Sequence, residues 1–368
     1  MTDAMVRALR TDAVGRSLAA ASSVVAAVEA LRFVQFDPIR APARAADLIL
    51  RQRVSGYRAG DLDRAYPTLD LAEDFLHVYG VMPRATRDLL HPRNRRERFR
   101  VESEFPRLPA RVLAHVAERG DTHPRDLAAI AGHRTINAWG GESTATTRIL
   151  EALHFRGKLR VARRASGIKV YALAHPPAPS LAAAQRAREL VRLLVTLYAP
   201  LPESTLRQLV RMVAESSVPP ALKARTFEAL RRDPAIEHVQ AGGQTWWRPA
   251  GAPLVTAVEE RVRLLAPFDP VVWDRRRFAL FWGFDYRLEA YTPPARRQFG
   301  YYALPLLWRD EVVGWANAAI AAGVLDVDVH FAHARPRAVA FRRELDAEAE
   351  RLRECVGALR ARVGFAKA

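Results

Sequence analysis

Apolar side chains recur every three or four positions in many stretches of this chain, which is the spacing of one face of an α-helix. In the Ala-rich stretch from Leu18 to Leu31, for example, Val24, Val28 and Leu31 follow this spacing. The predicted helices are residues 18–31, 43–53, 111–116, 123–128, 144–155, 182–197, 203–206, 220–231 and 337–363.

Runs of β-branched and alternating residues predict strands between these helices and throughout the last third of the chain. Two hairpins are indicated, because pairs of such runs flank the short turns Ala165-Ser166-Gly167 and Gly242-Gly243. Pro38 ends the first strand, since proline has no backbone N–H to donate. The predicted strands are residues 32–37, 158–163, 168–173, 236–239, 245–247, 301–308, 312–315 and 325–331.

The order of these elements indicates two winged helices in tandem. Residues 111–174 read as three helices and a hairpin, the arrangement in which a helix enters a DNA groove and the hairpin, or wing, touches the backbone. Residues 182–247 repeat this order, and the first 60 residues offer a candidate for a third module. From Arg263 onward the sequence is aromatic and rich in predicted strands. We therefore predict an α+β fold.

The charge of the chain points to a polyanionic partner. It has 57 basic against 40 acidic residues, a net charge of +17 and a pI near 10.9, which favours binding to nucleic acid. Because almost all of the basic residues are arginines in an Ala-rich chain, a GC-rich coding bias is an alternative explanation. The charge is nevertheless clustered: Phe155–Tyr171 contains six basic residues and no acid, and Arg84–Arg100 contains seven arginines against two acids.

Several classes of protein and site are excluded. The single cysteine, Cys355, rules out a disulfide framework and any zinc site built on several cysteines. His330 and His333 have no clear acidic or cysteine partners, and no phosphate-loop or dinucleotide motif occurs, so we expect no metal and no cofactor. No apolar run has the length of a membrane span, and the first residues do not form a signal peptide. We therefore expect a soluble, cytoplasmic protein.

Two stretches resemble a known family. The C-terminal block begins Ala266-Pro267-Phe268-Asp269-Pro270-Val271-Val272-Trp273-Asp274-Arg275 and continues through Phe281–Phe284 and Tyr286–Pro293 to Gly300-Tyr301-Tyr302-Ala303-Leu304-Pro305. The second stretch is Gln35-Phe36-Asp37. Together they are similar to the winged-helix DNA glycosylases of the AlkZ and YcaQ type, as a divergent member of the branch with a Gln-apolar-Asp signature.

This resemblance implies a fold of three tandem winged helices followed by a β-barrel-like module. Pro176–Pro179 has the composition of a linker between the second and third modules. The implied division is an N-terminal winged helix with the catalytic motif and an arginine-rich connector at 1–105, a second winged helix with the basic wing at 106–178, a third at 179–262, and the β-rich module with a terminal helix at 263–368.

The resemblance also implies a reaction, the hydrolysis of the N-glycosidic bond of alkylated purines, including bulky N7-alkylguanines and interstrand crosslinks. Asp37 would accept the proton of a water molecule and stabilise the positive charge of the transition state, while Gln35 positions that water. Residues two apart on a strand share a face, so both side chains would meet one substrate. The expected partner of this monofunctional, monomeric enzyme is duplex DNA, held by Arg40, Arg44, Arg163, Arg164 and Lys169.

Other interpretations remain open at this point. Gln35 and Asp37 also fit a surface residue and an Asp-Pro turn after a short strand. The chain would then be a non-catalytic winged-helix DNA-binding or regulatory protein, or a protein-interaction scaffold whose arginines reflect coding bias alone. Trp273-Asp274-Arg275 is expected to be structural, with a buried pair between the aspartate and the arginine.

Overall fold

The computed structural model describes residues 4–93, 99–130, 134–136, 141–175, 181–217 and 228–365. The fold is a mixture of helices and strands. It divides into two compact units: the first unit comprises Met1–Leu62, Arg192–Gln208 and Arg231–Ala368, and the second comprises Asp63–Val191 and Leu209–Leu230. None of the described helices is both long and apolar enough to cross a membrane.

Side-chain caps determine where several helices begin. The Ser23 hydroxyl accepts a hydrogen bond from the Ala26 amide at 3.1 Å, so the helix predicted from Leu18 begins at Val24. Thr144 caps the helix that begins at Ala145. The described helices are α1 (Ala4–Ser17), α2 (Val24–Leu31), α3 (Ala45–Leu50), α4 (Asp61–Ala65), α5 (Arg84–Leu90), α6 (Arg100–Glu104), α7 (Leu108–Arg119), α8 (Ala145–Phe155), α9 (Ala183–Tyr198), α10 (Glu203–Ser217), α11 (Arg275–Trp282) and α12 (Val339–Val356).

The strands form hairpins along most of the chain and one larger sheet at its C-terminal end. Both predicted glycine turns are present: β6 and β7 meet at Ser166-Gly167, and β9 and β10 meet at Gly242-Gly243. The described strands are β1 (Val34–Gln35), β2 (Leu71–Phe75), β3 (Tyr79–Pro83), β4 (Arg134–Ile136), β5 (Glu142–Thr144), β6 (Leu159–Ala165), β7 (Ile168–Leu173), β8 (Leu201–Pro202), β9 (Ile236–Ala241), β10 (Gln244–Pro249), β11 (Val262–Leu264), β12 (Leu304–Trp308), β13 (Glu311–Ala321), β14 (Val324–Phe331) and β15 (Arg360–Phe365).

In the first unit, β11 to β15 form a curled five-stranded sheet, a half-barrel. The helix predicted to reach residue 363 ends at Val356, because Gly357 adopts a left-handed conformation with φ of 71°. The chain then forms β15, which pairs in parallel with β14. Val14 of α1 and Leu18, which follows that helix, pack into a core with residues between positions 265 and 312: Leu265, Val271, Val272, Phe278, Tyr286, Phe299, Ala303, Leu307 and Val312.

In the second unit, α7, α8 and the β6–β7 hairpin follow the predicted order. Residues 123–128 differ from the prediction, since Pro124–Leu127 forms only a 3₁₀ turn. The His123 side chain accepts a hydrogen bond from the Arg125 amide at 3.1 Å, and the Asp126 carboxylate accepts one from the His123 amide at 2.9 Å. These local bonds satisfy the backbone within one short turn.

The division into four modules stays a prediction. The linker Pro176–Pro179 and most of the helix predicted over 220–231 lie outside the described residues.

A buried ion pair ties the N-terminal segment of the first unit to the C-terminal block. The guanidinium of Arg53 donates to both oxygens of Asp269, at 2.8 and 3.1 Å, and both side chains are almost wholly buried. Arg53 also donates to the carbonyl oxygens of Ser17 and Ile49, each at 2.7 Å. The amide of Val271 donates to Asp269 at 3.0 Å, so the carboxylate is satisfied without water.

A second buried contact links the same segment to α12. Glu348 accepts hydrogen bonds from Arg51 at 2.8 Å, from Gln52 at 2.7 Å and from the Leu264 amide at 2.8 Å. Burial alone would raise the pKa of Glu348, but Arg51, Arg351 and the Leu264 amide lower it to about 2. The carboxylate therefore remains ionised inside the first unit.

Removal of the Asp269 carboxylate should destabilise the fold strongly. Asp269→Ala leaves the Arg53 guanidinium buried and charged without its partner, which typically costs about 3–5 kcal/mol. Chemical denaturation should therefore show a large loss of unfolding free energy. The matched control is Asp285→Ala, which removes an exposed pair with Arg287 and should change stability little. Equal effects of the two substitutions would contradict this account.

Candidate active site

The segment that carries Gln35 and Asp37 is a short strand followed by a loop. Arg32 adopts a left-handed conformation with φ of 59° after α2, and β1 contains only Val34 and Gln35. The strand predicted over residues 32–37 is therefore shorter than expected, and Asp37 lies in the loop. Because Asp37 lies outside the strand, the alternation of side chains along a strand does not by itself place Gln35 and Asp37 on the same face.

Asp37 forms an Asp-Pro turn. Its Oδ1 accepts a hydrogen bond from the Ile39 amide across Pro38, at 2.9 Å. The carboxylate is half-buried, and burial raises its pKa, against the opposing effect of this hydrogen bond. The turn and a catalytic role are compatible, because the second carboxylate oxygen accepts no hydrogen bond from the described residues.

Gln35 presents an unsatisfied oxygen. Its side chain is half-buried, and its Oε1 is inaccessible to solvent and accepts no hydrogen bond from the described part of the chain. Buried polar atoms in native proteins nearly always have a partner, so an exception calls for an explanation. Gln35 thus keeps an acceptor that no described residue uses.

The charge of Asp37 acts on Tyr302, a residue of the C-terminal block that the sequence did not single out as a site residue. Tyr302 is only 3% exposed; its pKa is raised by burial first and then by the charge of Asp37, while Arg275 acts in the opposite direction. In the sequence, the only feature that pointed to Tyr302 was its position in the Gly300–Pro305 stretch of the family resemblance. Its proximity to Asp37 depends on tertiary contacts that no local pattern reveals.

Arg275 lies beside this tyrosine without an ion-pair partner among the described residues. Its guanidinium donates to the Val272 carbonyl at 2.6 Å and lies 4.5 Å from the ring centre of Tyr286. The expected pair with Asp274 does not form a hydrogen bond, since that carboxylate caps α11 by accepting from the amides of Arg276 and Arg277. The guanidinium lines a cavity of 410 Å³, whose other walls are Thr205, Gln208, Trp273, Asp274 and Arg276.

Of the two predicted DNA-binding arginines that follow Asp37, one is exposed and the other is paired. Arg40 is exposed and has no side-chain partner among the described residues. Arg44 is partly buried, and its Nε donates to Asp47 at 3.1 Å. Arg40 is thus the more accessible of the two for a phosphate.

The three predicted DNA contacts on the β6–β7 hairpin lie in the second unit and differ in accessibility. Arg163 is about half exposed, at 48%, and lies 3.4 Å from Asp121. Arg164 donates to both oxygens of the buried Glu73, at 2.8 and 2.7 Å. The ammonium of Lys169 lies 3.6 Å from the ring centre of Tyr79. The outward-facing charge of this hairpin is therefore concentrated at Arg163.

Residues suited to metal binding do not converge in the described part of the chain. No group of three or more histidine, cysteine, aspartate or glutamate side chains there is placed to hold a metal ion. His330 instead pairs with Asp328 at 3.0 Å and stacks on Trp315. Burial raises the pKa of the Cys355 thiol to about 11, which keeps it protonated and unreactive.

Comparison with known proteins identifies the family. The model of the AlkZ-like DNA glycosylases matches residues 28–355, which include the Gln35–Asp37 segment and the C-terminal block. The fold is similar to that of the Streptomyces sahachiroi DNA glycosylase AlkZ, with a TM-score of 0.64 and 14% sequence identity over the full length of both chains. The chain therefore belongs to the AlkZ-like family of DNA glycosylases.

Proposed function

We propose that this protein is a monofunctional DNA glycosylase that hydrolyses the N-glycosidic bond of alkylated purines in duplex DNA, including bulky N7-alkylguanines and interstrand crosslinks. Family membership supplies the reaction class. The observation that carries the proposal is the half-buried carboxylate of Asp37, two residues from the unsatisfied oxygen of Gln35.

The chemistry of the proposed substrate requires only a carboxylate and an amide side chain. A purine alkylated at N7 is cationic and leaves readily, so neither a metal nor a strong acid is needed. Charge develops on the deoxyribose as the bond breaks, and the Asp37 carboxylate stabilises that charge by electrostatic attraction. The same carboxylate accepts a proton from the attacking water, which Gln35 orients through its side-chain amide.

The environment of Asp37 strengthens its action as a base. Partial burial raises its pKa, and a carboxylate of higher pKa accepts a proton more readily. The Ile39 amide holds Oδ1 and thereby restricts rotation of the carboxyl group. Burial and anchoring together prepare the carboxylate for a proton transfer.

The distribution of lysines supports water as the nucleophile. The chain has only four lysines, and none lies in residues 28–62 or 231–365, where Asp37 and the C-terminal block are found. A glycosylase that also cleaves the strand forms a covalent imine through an amine. The first unit offers no lysine amine for that step within these ranges.

Binding of the duplex is assigned chiefly to the two predicted arginines with accessible side chains. We assign phosphate contacts to Arg40 and Arg163 foremost, and to Arg44, Arg164 and Lys169 as the secondary set. The helix-helix-hairpin order supports three tandem winged helices as the DNA-binding scaffold. The protein acts as a monomer in the cytoplasm.

Substitution of the proposed base should abolish most of the activity. Asp37→Asn keeps the size of the side chain but removes the negative charge and the proton acceptor, so excision of 7-methylguanine should fall by about 100-fold or more. Single-turnover excision is measured as strand breaks after alkaline treatment of the abasic product. Asp285→Asn, an exposed substitution, is the control and should excise at the wild-type rate. If Asp37→Asn excises the base at the wild-type rate, Asp37 is not the catalytic base. If the wild-type protein binds DNA but excises nothing, a regulatory function is favoured.

The pH profile should reveal the raised pKa of Asp37. Only the ionised carboxylate accepts a proton, so activity should decline as the pH falls through this pKa, with a midpoint above 3.8, the ordinary value. The measurement is the single-turnover rate against pH after subtraction of uncatalysed base loss. A midpoint at or below the ordinary aspartate value would argue against a half-buried base.

The two neighbouring arginines of the β6–β7 hairpin should behave differently when replaced. Arg163→Ala should weaken DNA binding and reduce the slope of log affinity against log salt by about one, because one phosphate contact is lost. Arg164→Ala leaves Glu73 buried and unpaired, so it should lower stability, by about 3–5 kcal/mol. Salt-dependent fluorescence anisotropy and denaturation separate the two effects, and an unchanged salt slope for Arg163→Ala would exclude it from the interface.

A further inference from the structure

The first unit contains a cavity of 260 Å³, here called the arginine cavity, beside the chain segment that follows α3. Neither Gln35 nor Asp37 lines it, so no residue assigned to the reaction belongs to its wall. Among the described residues, the wall carries six guanidinium groups against two carboxylates, those of Glu259 and Glu354. The arginines are Arg51, Arg53, Arg58, Arg261, Arg263 and Arg351. Such an excess of positive charge attracts anions.

The outer part of the arginine cavity is the least neutralised. Glu259, whose side chain is 61% exposed, lies 2.8 Å from Arg263 and 3.7 Å from Arg261, so one carboxylate serves two guanidinium groups. Arg58 is exposed, and its side chain has no partner among the described residues. Glu354, the other acid of the wall, lies 3.6 Å from an arginine that is not part of the wall. The carboxylates of the wall therefore leave positive charge uncompensated.

The pKa of Arg263 is lowered by these surroundings. Its guanidinium is buried, and burial, the charge of Arg261 and then that of Arg53 lower its pKa. Glu348 and Glu259 act in the opposite direction, but the pKa still falls to about 10. A bound anion would stabilise the charged form of this guanidinium, which the nearby carboxylates do not fully achieve.

Two guanidinium groups of the wall also have an N–H group without an acceptor. The Nε atoms of Arg51 and Arg261 are inaccessible to solvent and donate no hydrogen bond within the described part of the chain. Buried donors in native proteins nearly always have an acceptor, so these two are exceptions. An oxyanion offers several acceptor oxygens to such donors.

We propose that the arginine cavity is a binding site for a phosphate group. Guanidinium groups match phosphate in geometry and charge, because two parallel N–H groups can donate to two phosphate oxygens. A volume of 260 Å³ is below the roughly 300–1,000 Å³ of pockets for drug-sized ligands, so the cavity suits a single phosphate better than a whole nucleotide. The phosphate is either a phosphodiester of duplex DNA or free inorganic phosphate, since both offer the same oxygens. The site goes beyond the proposed reaction and can be tested whether or not the protein excises a base.

The first test measures the binding of inorganic phosphate by isothermal titration calorimetry, with the ionic strength held constant by chloride. Wild-type protein should bind phosphate saturably. Arg261→Gln should raise the dissociation constant by about tenfold or more, because a charged donor is lost. The control is Arg287→Gln, which removes an exposed arginine paired with Asp285 and should bind phosphate as the wild type does. Melting temperatures close to that of the wild type show that both variants are folded.

A charge-matched pair of glutamate substitutions separates the cavity from general attraction to a basic protein. Glu259→Gln removes the carboxylate that competes for Arg261 and Arg263, so phosphate affinity should rise several-fold. Glu260→Gln changes the net charge equally, but Glu260 lies 2.9 Å from Arg309 and does not line the cavity. Its phosphate affinity should therefore stay near the wild-type value.

Duplex binding, followed by fluorescence anisotropy, identifies the source of the phosphate. If the cavity takes a phosphodiester of DNA, Arg58→Ala and Arg261→Gln should each reduce the slope of log affinity against log salt by about one. If it takes free phosphate, both variants should bind duplex as Arg287→Gln does. Either result agrees with a phosphate site. The proposal is overturned if the wild type and Arg261→Gln bind inorganic phosphate equally, or if Glu259→Gln and Glu260→Gln respond alike.

Discussion

The buried contacts of Arg51, Gln52 and Arg53 with Asp269 and Glu348 constrain the whole first unit. A charge removed from water is tolerated only when its partners are placed to satisfy it, so these contacts admit one arrangement of the segments that carry them. The segment 51–53 directly follows α3, whose six residues are all buried. The loop that carries Asp37 therefore runs from β1 to an element fixed against the C-terminal block.

Asp37, the proposed base, lies in a loop, and this anchoring restricts the positions that its carboxylate can take. Asp37 is held locally by the Ile39 amide, and the chain on its C-terminal side is held by buried ion pairs. In the C-terminal block, the charges of Asp37 and Arg275 both act on the pKa of Tyr302, in opposite directions. The two stretches that resemble the family, far apart in sequence, are thus parts of one structural unit.

Local patterns predicted those elements whose signals lie within a few residues. The Gly242-Gly243 and Ser166-Gly167 turns and the helix that begins at Ala145 have such signals, and the structure agrees with them. The final strand was missed because the helical spacing before it continues through Gly357, where only the backbone conformation shows the end.

The assignment of Gln35 and Asp37 as site residues came from a motif and stays a prediction. The sequence gave no sign that the charge of Asp37 acts on Tyr302, because the two residues are more than 200 positions apart. The sequence also did not show which of the predicted DNA-binding arginines are accessible to solvent. Arg163 and Arg164 are adjacent and chemically identical, but strand alternation exposes one and directs the other onto Glu73.

The most direct test of the central claim is the detection of the free base that the reaction releases. Purified protein is incubated with a duplex carrying one 7-methylguanine, and released base is quantified by mass spectrometry, with borohydride present in a parallel sample to trap any covalent imine. The account predicts one equivalent of free 7-methylguanine per abasic site, no trapped protein–DNA adduct and no release by Asp37→Asn. Release of no more base than in the Asp37→Asn sample, or a borohydride-trapped adduct, would contradict it.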